Sequence, residues 1–246
     1  MNDQGSGRLP DEVGQVLNAF VEAAKNAFGS DLVSVVLFGS AAEARLRATS
    51  DVNVLLVLKR FEQARADDVR EPLRVAHAAV QLNAMFLLET EIAAANEAFA
   101  VKFADIQARH RVLFGADPFA NLGTPRDALV RRLGQVLLNL QLRLRERYVM
   151  VSLREEQLAR VIADAASPLR ASAASLLQLE GRTAATPKAA LEEVVAGLGD
   201  PQLSAVLAEI SAAREEASLE PGRAPAVLMT LIDLTQRLRE RVERLR

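Results

Sequence analysis

The chain has no cysteine and no tryptophan, and it carries a single tyrosine. Without thiols it has no disulfides, no thiolate nucleophile and no Cys-ligated zinc, a composition compatible with a reducing compartment. Aromatic residues make up only 4% of the sequence, so the core has to be packed mainly from Leu, Val and Ala. Neither charge dominates: the formal net charge of −2 gives no overall attraction to nucleic acid or to an anionic membrane. No apolar run approaches the about eighteen residues needed to span a bilayer. The polar opening MNDQGSGRLPDEV does not read as a signal peptide, which makes the cytoplasm the expected location.

What is present is an ordinary globular composition, half hydrophobic and a quarter charged, in a chain of 246 residues that can bury one large core or two moderate ones. Residues 1–9 read as a loose tail. Pro10, Asp11 and Glu12 open a helix whose apolar positions run from Val13 to Phe28 at helical spacing, and Gly29 closes it. Leu32–Phe38 and Asp51–Leu58 are short, β-branched, nearly all-apolar runs of the kind buried strands require, and Ala84–Leu88 is a third. Between the last two, residues 59–75 become helical in their later part. Ala93–Ala98 reads as helix, Phe99–Ile106 as an edge strand or extended connector, and Arg109–Phe114 as a helix closed by Gly115. Strands alternating with helices make residues 10–122 an α/β (α+β) domain. From residue 123 onward the strand signature disappears. Long helices follow, one with Leu133, Leu137, Leu140, Leu144 and Val151 on its apolar face, the next from Glu155 to Leu179 with Pro168 as a kink or break. Residues 123–246 are therefore expected to form an all-α bundle.

The chemistry concentrates in SVVLFGSAAEARLRATSDVNVLLVL, Ser34 to Leu58: strand, Gly-Ser turn, short helix, strand. Gly39 lets the backbone approach a phosphate closely and Ser40 offers a hydroxyl, at the start of a helix whose positive end favours anions. An acid on the following strand could hold Mg2+, which takes oxygen ligands and bridges phosphates.

Phe38-Gly39-Ser40 followed by Ser50-Asp51-Val52-Asn53 and the apolar run to Val57 resembles the signature of the DNA polymerase β-type nucleotidyltransferase superfamily: Gly-Ser, a short spacer, then Ser-Asp-x-Asp and an apolar strand. Members include aminoglycoside and lincosamide adenylyltransferases and minimal nucleotidyltransferases. A nucleotidyltransferase domain followed by a helical bundle is also the layout of the aminoglycoside-modifying members. The resemblance implies a nucleotide held at Gly39, Ser40 and the basic Arg45, with Mg2+ on the first acid, Asp51. It implies in-line transfer of a nucleoside monophosphate from ATP or another NTP to a small-molecule or protein hydroxyl.

The chain departs from that pattern twice. Asn53 stands at the second acidic position, and Asn83, near the start of the third strand, stands where a third carboxylate is expected, unless that alignment is shifted. An amide oxygen brings no negative charge to a site built around a divalent cation. Asp105 and Glu89 are the fallback acids. Three readings result. The first is a degenerate nucleotidyltransferase, a pseudoenzyme or weak nucleotide-binding module. The second is an active Mg2+-dependent transferase using Asp51, Asn53 and a recruited acid. The third is an antitoxin-like protein that self-associates through its helical domain. His77 and His110 could be general bases or structural side chains. The Arg143-Arg145-Glu146-Arg147-Tyr148 run could line a cleft or form a salt-bridged helix face.

Overall fold

The computed structural model describes residues 9–46, 50–216 and 218–246. They divide into two compact units, one comprising the chain up to Asn96 together with Phe103–Gly123, the other Glu97–Lys102 together with Thr124–Arg246.

The first unit begins with α1 (Asp11–Phe28), its acids in the first turn, and passes through a 3-10 turn into β1 (Leu32–Phe38). A second 3-10 turn, Gly39–Ala41, leaves β1; then come β2 (Val52–Leu58), α2 (Gln63–Val80), β3 (Leu82–Leu88) and α3 (Ile92–Ala98). α4 (Ala100–Ala108) and β4 (His110–Gly115) follow, with the end of α3 and the start of α4 counted in the second unit. The four strands form one sheet in the order β3-β2-β1-β4, with β2 and β3 parallel and the other pairs antiparallel.

β1 and β2 lie in the middle of the sheet and are covered on both faces, which is why they read as continuous apolar runs rather than alternating ones. On one face Val35, Leu37, Val54 and Leu56 pack with Phe20 and Phe28 of α1 and Val69 of α2. On the other, Val36, Phe38, Leu55 and Val57 pack with Phe103 and Ile106 of α4 and with Phe119.

Two elements differ from expectation. Phe99–Ile106 is not extended: Ala100, Phe103, Ala104 and Ile106 are buried at three- and four-residue spacing, one face of α4. Arg109–Phe114 is not a helix but mostly β4, which pairs with the edge that β1 would otherwise leave open. Gly115 marks a strand end there and not a helix cap. Its φ is +76°, and a Cβ on it would lie 2.0 Å from the Val33 carbonyl oxygen.

The second unit is helical: α5 (Arg126–Val151), α6 (Glu155–Leu179), α7 (Pro187–Ala196), α8 (Pro201–Glu216) and α9 (Ala224–Glu243). α6 packs against the other four. It runs through Pro168 without a break, because Ala165, Ala166, Leu169 and Ala173 on either side of the ring are buried against the neighbouring helices. Polar contacts tie α9 to its neighbours, among them Arg237 with Asp200 at 3.1 Å. Arg241 donates to both carboxylate oxygens of Glu180 at 2.6 and 2.7 Å, and Gln141 donates to Gln236 at 3.3 Å. Arg143, Arg145 and Arg147 are exposed, and among the described residues they have no ion-pair partner, so the salt-bridged face expected there does not form. Among the described residues no helix is long and apolar enough to cross a membrane.

Candidate functional site

The turn after β1 is set by backbone geometry. Gly39 has φ +78°, and among the described residues a Cβ there would meet nothing within 4 Å, so glycine is required by the backbone angle and the space above it is open. The Gly39 N–H donates to the Arg109 carbonyl at 3.0 Å, tying the turn to the residue that precedes β4. The next N–H groups fold back locally: Ala42 to Gly39 O at 3.1 Å, and Arg45 to Ser40 O at 2.9 Å. The short helix expected here is therefore only a 3-10 turn and further turn residues, with residues 47–49 outside the described set. A single turn has no helix macrodipole to offer an anion, and the Gly39 N–H is already committed.

Beside the turn, strand pairing brings a row of residues together. Phe38 is opposite Asn53 on β2 and opposite His110 on β4, and Asn53 is opposite Asn83 on β3. Alternation along the strands puts Asn53 and Asn83 on the same face as Leu55, Val57 and Leu87. They form the polar end of an otherwise apolar surface, Asn53 half-buried and Asn83 exposed. The register follows from Gln81, whose left-handed backbone (φ +52°) ends α2. Its carbonyl accepts both the Val52 N–H and the Asn83 amide, each at 3.3 Å. Asn83 is thus directly beside Asn53. Asp51 is exposed and immediately precedes β2.

The fallback acids are elsewhere. Asp105 belongs to α4 and is gripped by Arg109, whose Nη2 reaches both carboxylate oxygens at 2.5 and 2.6 Å and whose Nε reaches one at 2.9 Å. Arg109 also donates to Glu43 of the turn at 3.3 Å. Burial alone would lower the pKa of its guanidinium, but hydrogen bonds and charge from Asp105, and then Glu43, outweigh that and raise it. Glu89 follows the far end of β3, six residues or about 20 Å of strand from Asn83. Arg45 is exposed on the turn, 3.7 Å from Glu43.

Both histidines have structural partners. His110 Nδ1 lies 3.0 Å from the Gln107 carbonyl, its Nε2 lies 3.3 Å from Asp117, and its ring edge meets Phe119. His77 Nδ1 lies 3.1 Å from the Leu82 carbonyl.

A Mg2+ pair needs several anionic oxygens. One exposed carboxylate and two amides do not fit it, and among the described residues no three His, Cys, Asp or Glu side chains converge on a metal-binding position. Sequence reasoning missed Arg109, the residue that connects turn, α4 and β4. The available signal was Val112-Leu113-Phe114 ending at Gly115, a run too short and too apolar for a surface helix.

No family model matches the chain. A stretch of 52 residues, 21% of the chain, is 38% identical to the "Putative protein adenylyltransferase MJ1305" of Methanocaldococcus jannaschii and spans 35% of that relative's length. Among solved structures, the spectinomycin adenyltransferase AAD(9) from Enterococcus faecialis, solved with ATP and spectinomycin, superimposes with a TM-score of 0.63. That match covers 94% of this chain and 99% of that one at 12% identity. The chain therefore has an α/β nucleotidyltransferase fold followed by a helical part, and it resembles the nucleotidyltransferase superfamily in both sequence motif and architecture.

Proposed function

We propose that this protein binds a nucleotide at the Gly39–Ser40 turn and does not transfer a nucleotidyl group. The observation that carries the proposal is the pairing of Asn53 with Asn83 across β2 and β3, where the resemblance calls for acids. Each amide removes one formal negative charge from the place where two cations would have to sit, and the cation is the largest local charge in such a site. Neither fallback replaces them, since Asp105 is bound by Arg109 and Glu89 is at the other end of its strand. What supports nucleotide binding is the turn itself: an open space above Gly39, the Ser40 hydroxyl and the exposed Arg45. The solved neighbour's ATP agrees with this choice of ligand class.

The test is transfer of an α-phosphate-labelled nucleotide in the presence of Mg2+, with small-molecule hydroxyl acceptors and with the protein itself as acceptor. The expected result is no labelling above that of Asp51→Ala. Strong Mg2+-dependent labelling that Asp51→Ala abolishes would sink the proposal and establish the transferase reading.

A second reading, self-association through the helical unit, is favoured by one observation. Leu142, Val149, Met150 and Leu153 are 52%, 79%, 72% and 99% exposed near the end of α5. Light scattering across a concentration series decides it: a dimer or larger species is expected, and a strict monomer at all concentrations counts against it.

A further inference from the structure

We propose that Asn53 and Asn83 take the phosphate of a nucleotide directly, with no divalent cation between, so that the preferred ligand is a nucleoside monophosphate and not a Mg2+-complexed triphosphate. This rests on the nucleotide-binding reading above and names the ligand class.

An ionised carboxylate can only accept hydrogen bonds, so two of them beside a phosphate repel it unless a cation intervenes. An asparagine amide has the same shape but carries two N–H donors and no charge. Exchanging both acids for amides therefore does more than weaken a metal site. It turns a surface that repels a bare phosphate into one that can donate to it.

The geometry suits that use. The two amides are register partners on one face of the sheet, at the start of the strands, and further along that face Leu55, Val57 and Leu87 are buried with Phe103, Ile106 and Phe119. Asn83 gives one N–H to the Gln81 carbonyl at 3.3 Å, an anchor that orients the amide and directs its second N–H elsewhere. Arg45 adds an exposed guanidinium on the neighbouring turn, and its contact with Glu43 at 3.7 Å is longer than a hydrogen bond. Arg109 pairs with Asp105 and, more loosely, with Glu43, and Asp51 is an anionic group beside the pair.

A triphosphate in a Mg2+-containing solution folds its oxygens around the cation and offers a coordination sphere that seeks carboxylates. A monophosphate holds Mg2+ weakly and offers bare acceptor oxygens. Donor amides complement the second.

Calorimetric titration of the full chain with AMP and with ATP, each in EDTA and then in excess Mg2+, tests the proposal. AMP should bind equally in both media, within about twofold, while Mg2+ should weaken ATP binding about fivefold or more. Asn53→Ala with Asn83→Ala, which adds no charge, should cost about tenfold in AMP affinity with an unchanged melting temperature. The Asn53→Asp, Asn83→Asp double variant should bind ATP only when Mg2+ is present. If Mg2+ raises the wild-type affinity for ATP about tenfold, or if the double alanine variant binds AMP as well as the wild type does, the proposal is overturned. Should the wild type bind neither nucleotide while the double aspartate variant binds ATP with Mg2+, metal-free recognition falls and the turn remains a nucleotide site. If neither protein binds either nucleotide, both readings fall.

Discussion

The turn leaving β1 and the strand starts beside it belong to the same end of one sheet, yet they match the superfamily pattern to very different degrees. Gly39 keeps a backbone angle that other residues adopt only with strain, and its N–H is tied to Arg109, whose side chain binds both Glu43 of the turn and Asp105 of α4. Those features are part of the fold's own hydrogen bonding, so losing them destabilises the protein whatever the site does. Asp51, Asn53 and Asn83 contribute little to that framework. Two of them are exposed and the third is half-buried. Carboxylates at these places would serve only a cation, and without one they would repel each other, so exchanging them for amides costs the fold nothing. The comparison teaches that the architecture of such a site and any chemistry done there depend on different residues.

The contrast predicts a graded set of outcomes. The largest effect belongs to the framework: Gly115→Ala places a Cβ against the Val33 carbonyl as well as straining the backbone, and should cost about 3 kcal/mol or more in chemical denaturation. Next, Arg109→Ala removes the guanidinium from two partly buried carboxylates and should cost about 1–3 kcal/mol. Because the same guanidinium also holds Glu43 of the turn, the substitution should weaken nucleotide binding too, which calorimetry reads separately from stability. Gly39→Ala meets no atom of the described residues within 4 Å and should cost only about 1 kcal/mol, from backbone strain. The smallest effect is reserved for the strand starts, where Asn83→Asp should change stability by no more than about 0.5 kcal/mol. If that substitution proved as costly as Arg109→Ala, the division between framework and chemistry would be wrong.

How much of this was legible in the sequence follows the same division. β1 and β2 were plain because burial on both faces leaves an uninterrupted apolar run, and Gly39-Ser40 was plain because a glycine between two such runs has few other uses. β4 was not, because an edge strand containing Arg111 lacks that run, and its identity comes from pairing with β1, a contact remote in sequence. α4 was misjudged because a window of eight residues cannot separate weak alternation from helical spacing. The placement of Asn83 was half visible: its residue type was readable, but its position opposite Asn53 depends on the left-handed Gln81 that sets the β3 register. Arg109 was invisible as a strut because its partners, Glu43 and Asp105, lie on two other elements.

The central claim is that the amide pair holds no metal, and Mn2+ binding followed by electron paramagnetic resonance tests it most directly, with Mn2+ standing in for Mg2+. With ATP present, the wild-type chain is predicted to sequester no more Mn2+ than free ATP does, whereas Asn53→Asp with Asn83→Asp should add a protein-dependent bound signal. A stoichiometric protein-dependent Mn2+ signal from the wild type would contradict the account.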